Sequence, residues 1–365
     1  MYTGIFLLIS CDKQKESNAS IITFQPKENI DFNVEFEVLT LNTPESLLVG
    51  IINSVQLFDN RIYLLDSNSG MLVFDIKGNF ISKIGNKGRG PGEYISSRVF
   101  SIDEYNGMIS IIDNQVNKII NFKIEDYSLI GETYAPNNSL TFEALDQNSR
   151  VWFNGNYSDY KNKEDKTYGF DYFVTQDDVI TDVFSKRKYN IGFITGPAKQ
   201  VYKIGETVKA YSQHSPYLYK IDKNGLIEEY KIEVKGMPFA TEEFLNNIVL
   251  SQNFGSFYSN LTESEYISYT SIYETNDNLL FFGFYKLTPY VGVYDKYSRV
   301  TEMSKQTDFE QQHMVKLGYL CGASNNAYIF AVDPPTEDDN VSDEFNEKFS
   351  KSNSNSSLLF VRFKE

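Results

Sequence analysis

The sequence predicts an all-β fold, a six-bladed β-propeller built from four-stranded antiparallel blades. A first observation is that pairs of apolar strands recur, in Arg61–Asp66 with Met71–Asp75 and in Met108–Asp113 with Lys118–Phe122. Asp66 and Asp113 end equivalent strands 47 residues apart, within the period of roughly 40–50 residues typical of propeller blades. A second observation is the content of 28 Phe and 26 Tyr, because aromatic side chains suit pleated, half-buried strands.

Six blade-sized units of alternating apolar strands follow one another along the chain. Their approximate bounds are 51–84, 99–134, 140–184, 200–234, 269–303 and 315–363. Between the fourth and fifth units, Thr241 is expected to cap a short helix over residues 242–246, because its hydroxyl can accept a free backbone N–H. Polar insertions at 156–167 and 334–357 interrupt the third and sixth units, so five or seven blades remain alternatives to six.

Two strands at the ends of the chain are expected to close the ring. A lone strand at residues 33–39 precedes the first unit, and a terminal strand covers residues 358–363. A ring of blades leaves two sheet edges exposed unless its first and last blades are joined. We therefore predict that these N-terminal and C-terminal strands pair within one blade.

The composition argues against several classes of function. Lys and Arg number 34 against 49 Asp and Glu, a net charge of −15, which repels phosphate backbones and disfavours a nucleic-acid partner. The chain has two cysteines, Cys11 and Cys321, and two histidines, His214 and His313. Neither a disulfide framework nor a zinc site is expected from these residues, and no cofactor is predicted.

The first residues are typical of a bacterial lipoprotein signal peptide. The apolar run 5–9 leads into Leu8-Ile-Ser-Cys11, which resembles a lipobox and implies cleavage before Cys11 and lipid attachment to it. We therefore predict a signal peptide over residues 1–10, a lipid-anchored flexible tether over 11–30 and the propeller over 31–365. Residues 1–4 lack the basic side chains of a signal peptide, and a buried N-terminal strand is the alternative.

A glycine-rich connector, residues 85–94, is a first candidate binding site. Its glycines could arrange backbone N–H groups into an anion-binding nest beside Lys87 and Arg89, with Glu93 and Tyr94 completing the site. A carboxylate, sulfate or phosphate would fit such a nest. The favoured alternative is that the connector only crosses between two blades, because such crossings need Gly and Pro for their geometry.

Aromatic residues around the long loop of the third unit are a second candidate. Trp152, Tyr157 and Tyr160 could form a platform for sugar rings, although most aromatic side chains of a propeller fill the space between blades. We expect Asp66 and Asp113 to cap turns rather than to bind a cation in the channel. No catalytic residue is assigned.

The segment 84–94, behind the strand and turn at 72–81, resembles the six-bladed β-propeller lipoproteins of Bacteroidetes, which are similar to NHL-repeat propellers. The resemblance implies a place in the cell envelope, on the periplasmic side or at the cell surface, with the membrane contacted through the lipid anchor alone. It also implies recognition of a glycan, a peptide or an outer-membrane protein partner rather than catalysis. The alternative is a lyase or hydrolase in the central channel, which would need two close carboxylates.

Overall fold

Six antiparallel sheets of four strands form the molecule, one of them extended by a fifth strand. The computed structural model describes residues 19–28, 30, 32–136, 139–154, 166–186, 199–222, 225–249, 254–350 and 356–364. The predicted six-bladed propeller is confirmed. Predicted signal residues 1–10 and the lipidation residue Cys11 lie outside the described residues.

The strands follow the blade order that the sequence predicts. Two strands precede the first blade, β1 (Ser20–Phe24) and β2 (Val34–Leu39). Blade 1 holds β3 (Ile52–Phe58), β4 (Arg61–Asp66), β5 (Gly70–Asp75) and β6 (Phe80–Ile84). A small parallel pair follows, β7 (Asn86–Lys87) and β8 (Glu93–Tyr94). Blade 2 holds β9 (Ser97–Asp103), β10 (Met108–Asp113), β11 (Lys118–Lys123) and β12 (Leu129–Tyr134).

The next two blades repeat this arrangement. Blade 3 holds β13 (Thr141–Ala144), β14 (Ser149–Phe153), β15 (Phe170–Gln176) and β16 (Val179–Lys186). Blade 4 holds β17 (Val201–Ile204), β18 (Thr207–Tyr211), β19 (Tyr217–Asp222) and β20 (Gly225–Val234). Two helices then precede blade 5, α1 (Glu242–Val249) and α2 (Phe254–Thr262). The Phe244 N–H donates to the Thr241 hydroxyl oxygen at 3.2 Å, which confirms the predicted cap of α1.

The last two blades carry the remaining helices. Blade 5 holds β21 (Ile267–Glu274), β22 (Asn278–Tyr285), β23 (Thr288–Asp295) and β24 (Thr301–Lys305), and α3 (Gln306–His313) follows it. Blade 6 holds β25 (Tyr319–Ala323), β26 (Tyr328–Val332) and β27 (Ser357–Phe363), with α4 (Asp343–Ser350) inserted before β27. Strand β2 completes blade 6 by pairing with β27, from Val34 opposite Phe363 to Leu39 opposite Leu358. The predicted closure is therefore confirmed.

The first strand of each blade lies innermost, and neighbouring inner strands adjoin: β3 lies beside β9, β9 beside β13, β13 beside β17, and β25 beside both β21 and β3. Because strands alternate in direction within a blade, turns between the first and second strands share one face of the ring, which we call the mouth face. Turns between second and third strands, and the connections between blades, share the opposite face, which we call the loop face. Helices α1 to α4 and the glycine-rich connector are on the loop face.

The hydrophobic core lies between neighbouring blades. Leu64 and Leu72 of blade 1 pack with Ile329 and Phe360 of blade 6, and similar clusters lie between blades 1 and 2, 2 and 3, and 3 and 4. Burial of these apolar faces holds the blades together, since each blade alone could not cover both of its faces.

The predicted flexible tether over residues 11–30 needs correction, because β1 belongs to the ring. Strand β1 pairs in parallel with β20 as the outermost strand of blade 4. The Thr301 hydroxyl of blade 5 donates to the Thr23 carbonyl at 2.9 Å, and the Lys27 N–H donates to the Met303 carbonyl at 2.9 Å. Phe24 is fully buried, with its ring centroid 5.7 Å from that of Phe281. The segment therefore joins blades 4 and 5 from outside.

Candidate functional site: the central mouth

A cavity of about 710 Å³ opens at the centre of the mouth face. Its volume lies in the range typical of small-molecule sites, roughly 300–1,000 Å³. Every blade contributes to its lining, which consists of Gln56, Leu57, Phe58, Ile102, Glu104, Glu143, Lys203, Gly205, Glu206, Asn276, Ala323, Ser324, Asn325 and Asn326. Most of these residues lie at the ends of inner strands or in the turns that follow, so the ring geometry brings them together.

Two sides of this cavity differ in chemistry. The side formed by blades 1 and 2 has an apolar strip, Leu57, Phe58 and Ile102, beside the polar Gln56 and Glu104. Leu57 and Phe58 are half-buried, so part of each side chain remains accessible at the mouth.

The side formed by blades 5 and 6 carries amides and a hydroxyl, from Asn276, Ser324, Asn325 and Asn326. The Asn276 N–H donates to the Asn325 carbonyl at 2.7 Å, and the Gly205 N–H donates to the Asn325 side-chain oxygen at 3.3 Å. These two bonds join the turns of blades 4, 5 and 6. The amides of Asn276 and Asn326 are exposed and therefore able to contact a ligand.

A buried ion pair lies at the inner end of the cavity. The Glu143 side chain is 2% exposed and the Lys199 side chain 7% exposed, and their charged groups are in contact. The Ser101 hydroxyl also donates to Glu143 Oε2 at 2.8 Å. A buried carboxylate requires such partners, because desolvation of an unpaired charge is costly. A carboxylate offers about four acceptor positions, so Glu143 can accept further hydrogen bonds.

A second ion pair crosses the outer rim of the cavity. The Lys203 ammonium of blade 4 contacts the Glu104 carboxylate of blade 2, and lies 4.5 Å from the centroid of the Tyr105 ring. Partial burial lowers the pKa of Lys203, but the hydrogen bond and charge of Glu104 outweigh this effect, so its pKa is raised overall. Lys203 therefore stays protonated at neutral pH.

Side chains of some inner strands donate hydrogen bonds to backbone carbonyl groups on the edge of the neighbouring inner strand. The Gln56 amide donates to the Phe100 carbonyl at 2.8 Å, and the Thr141 hydroxyl donates to the Val201 carbonyl at 3.5 Å. A Cβ on Gly322 would lie 2.4 Å from the Val55 carbonyl oxygen, so β25 and β3 approach too closely for a larger residue. The inner strands are thus linked to one another around the channel.

The backbone N–H groups of the glycine-rich connector bind carboxylate side chains of the same chain. The Gly90 N–H donates to Glu93 Oε2 at 2.8 Å, and the Gly92 N–H donates to the Glu132 carboxylate. A Cβ on Gly88 would lie 2.0 Å from Glu93 Oε2, so glycine is needed for the carboxylate to approach. The proposed nest is therefore filled by Glu93 and Glu132, and the structure favours the crossing-loop alternative.

The other connector residues are placed differently from the proposed site. Tyr94 is fully buried, where it accepts the Met71 N–H at 2.7 Å and donates to the Ile84 carbonyl at 3.1 Å. Burial raises the pKa of the Tyr94 hydroxyl to about 12. The Lys87 ammonium contacts the Ser67 carbonyl, whereas Arg89 is exposed. Tyr94 is thus a core residue and not a ligand contact.

The proposed aromatic platform must also be corrected at Trp152. This residue is 1% exposed and stacks on Phe142, with ring centroids 4.6 Å apart. Its indole N–H donates to the Thr175 hydroxyl at 2.8 Å. Trp152 fills the space between blades, so no face of it is available to a sugar. Tyr157 and Tyr160 lie outside the described residues.

Asp66 and Asp113 cap turns on the loop face, as predicted. Asp66 accepts the Gly50 N–H at 2.7 Å and the Asn68 N–H at 2.9 Å. Asp113 accepts the Ile95 N–H at 2.6 Å. His214 is buried in a turn of blade 4, and burial lowers its pKa to about 4.

The described part of the chain shows neither a metal-binding cluster nor a membrane-spanning helix. Within it, no three His, Cys, Asp or Glu side chains lie close enough to hold a metal ion. No helix among these residues has the length and apolar character needed to cross a membrane.

Sequence reasoning missed the mouth residues. Phe58, Asn276 and Asn326 have no motif around them, since each is one turn or strand-end residue of a different blade. These residues could have been predicted from their position in each blade. The residues that follow the first strand of each blade lie close to the axis of a propeller.

The six blades, the pairing of β2 with β27 that closes the ring and the cavity at the mouth together define a six-bladed β-propeller with a central cavity. Comparison with known proteins agrees, because the model of the DUF5128 family, described as a 6-bladed beta-propeller, matches residues 10–331. The chain belongs to this family. No curated protein matches the chain.

Two solved structures are similar to it. A putative exported protein from Bacteroides fragilis NCTC 9343 shares 27% identity with a TM-score of 0.87, covering 95% of this chain and 100% of that one. A member of the duf4221 family from Bacteroides vulgatus shares 13% identity with a TM-score of 0.56, covering 91% and 98% of the two chains. At that identity the second likeness concerns the fold alone.

Proposed function

We propose that this protein is a cell-envelope lipoprotein whose propeller binds a polar ligand at the central mouth. The observation that carries the proposal is the cavity of about 710 Å³ to which all six blades contribute. Among its amides, that of Asn325 joins the turns of blades 4 and 6, whereas Asn276 and Asn326 are exposed at the mouth. Concave sites with a few convergent polar groups are the usual form of ligand sites in proteins.

The charges in the cavity favour binding over acid–base catalysis. Glycoside hydrolysis needs one carboxyl group to give a proton and a second to attack or to activate water. In the cavity, Glu143 is paired with Lys199 and Glu104 with Lys203. Each of these two carboxylates is therefore already engaged by a lysine.

The proposal of an envelope location rests on the N-terminal sequence and on one relative. The apolar run 5–9 and the lipobox-like Leu8-Ile-Ser-Cys11 are typical of lipoproteins, and the similar B. fragilis protein is named a putative exported protein. Because β1 begins at Ser20 on the outside of blade 4, a lipid on Cys11 would hold the ring by its rim.

A binding screen tests the ligand-binding part of the proposal. The soluble form that starts after Cys11 is applied to glycan and peptide arrays, next to the variants Asn326→Trp and Gln115→Trp. Asn326 lies at the mouth, whereas Gln115 is an exposed turn residue of the loop face. We expect Asn326→Trp to abolish binding and Gln115→Trp to retain it. Equal binding by both variants would place the site elsewhere.

Lipid attachment is tested separately. Cells that express the full chain are fed a labelled fatty acid, and the protein is recovered from membrane and soluble fractions. The label should enter the native chain and be absent from Cys11→Ser. Labelling of both, or of neither, contradicts an anchor at Cys11.

A further inference from the structure

We infer that the central mouth recognises an uncharged saccharide, with the apolar face of a sugar ring against Phe58 and its hydroxyls toward the amides of blades 5 and 6. This inference rests on the proposed function, since it names the ligand class of the same cavity. It is carried by the combination of an apolar strip, Leu57, Phe58 and Ile102, with the exposed amides of blades 5 and 6 around a single cavity.

The two sides match the two kinds of surface that a sugar ring presents. A pyranose ring has C–H groups on its faces and hydroxyls around its edge. Leu57 and Phe58 offer accessible apolar surface on one side, where C–H groups can be desolvated. Asn276 and Asn326 offer exposed amides on the other, and each amide can both donate and accept, as each hydroxyl can.

The charge of the cavity argues for an uncharged ligand. Three glutamates line it, Glu104, Glu143 and Glu206, and Lys199 and Lys203 pair with two of them. An anionic sugar or phosphate would meet an excess of carboxylates inside a protein of net charge −15. Buried Glu143 suits a hydroxyl donor instead, because it retains acceptor positions beyond Ser101 and Lys199.

The inner strands argue against an extended peptide. A peptide that adds to a sheet edge depends on free backbone N–H and C=O groups. Here the Phe100 carbonyl accepts from Gln56 and the Val201 carbonyl accepts from Thr141. The edges around the channel are therefore already used at these positions, and recognition has to come from side chains.

Calorimetric titration tests the inference with named probes. The probes are neutral trisaccharides of glucose, mannose, xylose and N-acetylglucosamine, one uronic-acid trisaccharide and a pool of tripeptides. Proteins are the wild-type soluble chain, Phe58→Ala, Asn276→Ala and the control Tyr134→Ala. Tyr134 is 84% exposed on the outer strand of blade 2, so its loss should not alter the mouth.

We expect at least one neutral trisaccharide to bind, with an affinity that falls about tenfold in Phe58→Ala and in Asn276→Ala. The control should bind as the wild type does, and the uronic-acid probe should bind more weakly. Because Asn276 contacts its neighbours through backbone, Asn276→Ala should fold normally even if Phe58→Ala does not.

Two results would overturn the inference in distinguishable ways. Tripeptide binding that Asn276→Ala weakens, without binding of any neutral sugar, refutes the saccharide and leaves the mouth as a binding site. Sugar binding that neither mouth variant alters, or no binding of any probe, refutes the saccharide site at the mouth as well.

Discussion

On the loop face, the carboxylates of Glu93 and Glu132 accept backbone N–H groups of their own chain, whereas on the mouth face the amides of Asn276 and Asn326 border an open cavity. Both faces contain polar groups that complete the fold, such as Asn325 and Gln56 at the mouth, but the mouth also has exposed amides that border a cavity. A polar group that completes the fold can bind a ligand only if it gives up an intramolecular hydrogen bond, which lowers the stability of the fold. The exposed amides at the mouth do not have this cost, and we therefore place the proposed site there. Substitutions should therefore affect stability on one face and binding on the other.

The largest expected effect concerns Trp152, which is packed between blades close to the loop face. Trp152→Ala should lower the free energy of unfolding by about 3–5 kcal/mol, because it leaves a cavity where a large buried side chain stood. Urea denaturation measures the loss. If Trp152→Ala kept wild-type stability and lost sugar binding, Trp152 would be a platform residue, and the comparison between the faces would fail.

A comparably large effect is expected from His214, also on the loop face. Its pKa is lowered to about 4 in the folded protein from an ordinary 6.5, so the unfolded chain binds a proton more readily. Folding stability should therefore fall by about 3 kcal/mol as the pH decreases from 6.5 to 4. Unfolding free energies of wild type and His214→Gln across this window should show a shallower decline in the variant. Parallel declines would contradict a buried neutral imidazole.

Tyr94 in the connector should give an intermediate effect. Tyr94→Phe removes the oxygen that accepts the Met71 N–H, and a buried donor without a partner costs about 1–3 kcal/mol. Thermal unfolding measures this loss, with sugar affinity as the second readout. We expect reduced stability and unchanged sugar affinity. Unchanged stability with reduced sugar affinity would instead indicate that the connector is a binding site.

The smallest effect on stability is expected at the rim of the mouth. Lys203→Met breaks a partly exposed ion pair with Glu104, a contact worth at most about 1 kcal/mol. Its influence on ligand binding should be larger than its influence on stability, because the pair spans the entrance. Urea denaturation and calorimetry on the same preparation compare the two. A loss of several kcal/mol in stability would make the rim a structural element like the connector.

Local patterns in the sequence were sufficient to predict the ring. Alternating strands, the spacing of Asp66 and Asp113, and the two terminal strands each depend on short stretches of chain, and the structure confirms the blades and the closure. The capping roles of both aspartates were also predictable, because an Asp at the end of a strand commonly accepts N–H groups from the following turn.

Features that depend on distant parts of the chain could not be predicted in the same way. Strand β1 looked like part of a polar tether, because its partner β20 lies far along the sequence. The glycines and charges of the connector suggested a ligand site, but their partner Glu132 belongs to another strand. The mouth takes single residues such as Phe58 and Asn276 from separate blades, so no segment of sequence contains it.

A crystal structure of the protein soaked with the tightest-binding neutral trisaccharide tests the central claim most directly. We expect electron density for a sugar ring in the mouth, between Phe58 on one side and the Asn276 and Asn326 amides on the other. Density at the connector or elsewhere on the loop face, with an empty mouth, would contradict the account.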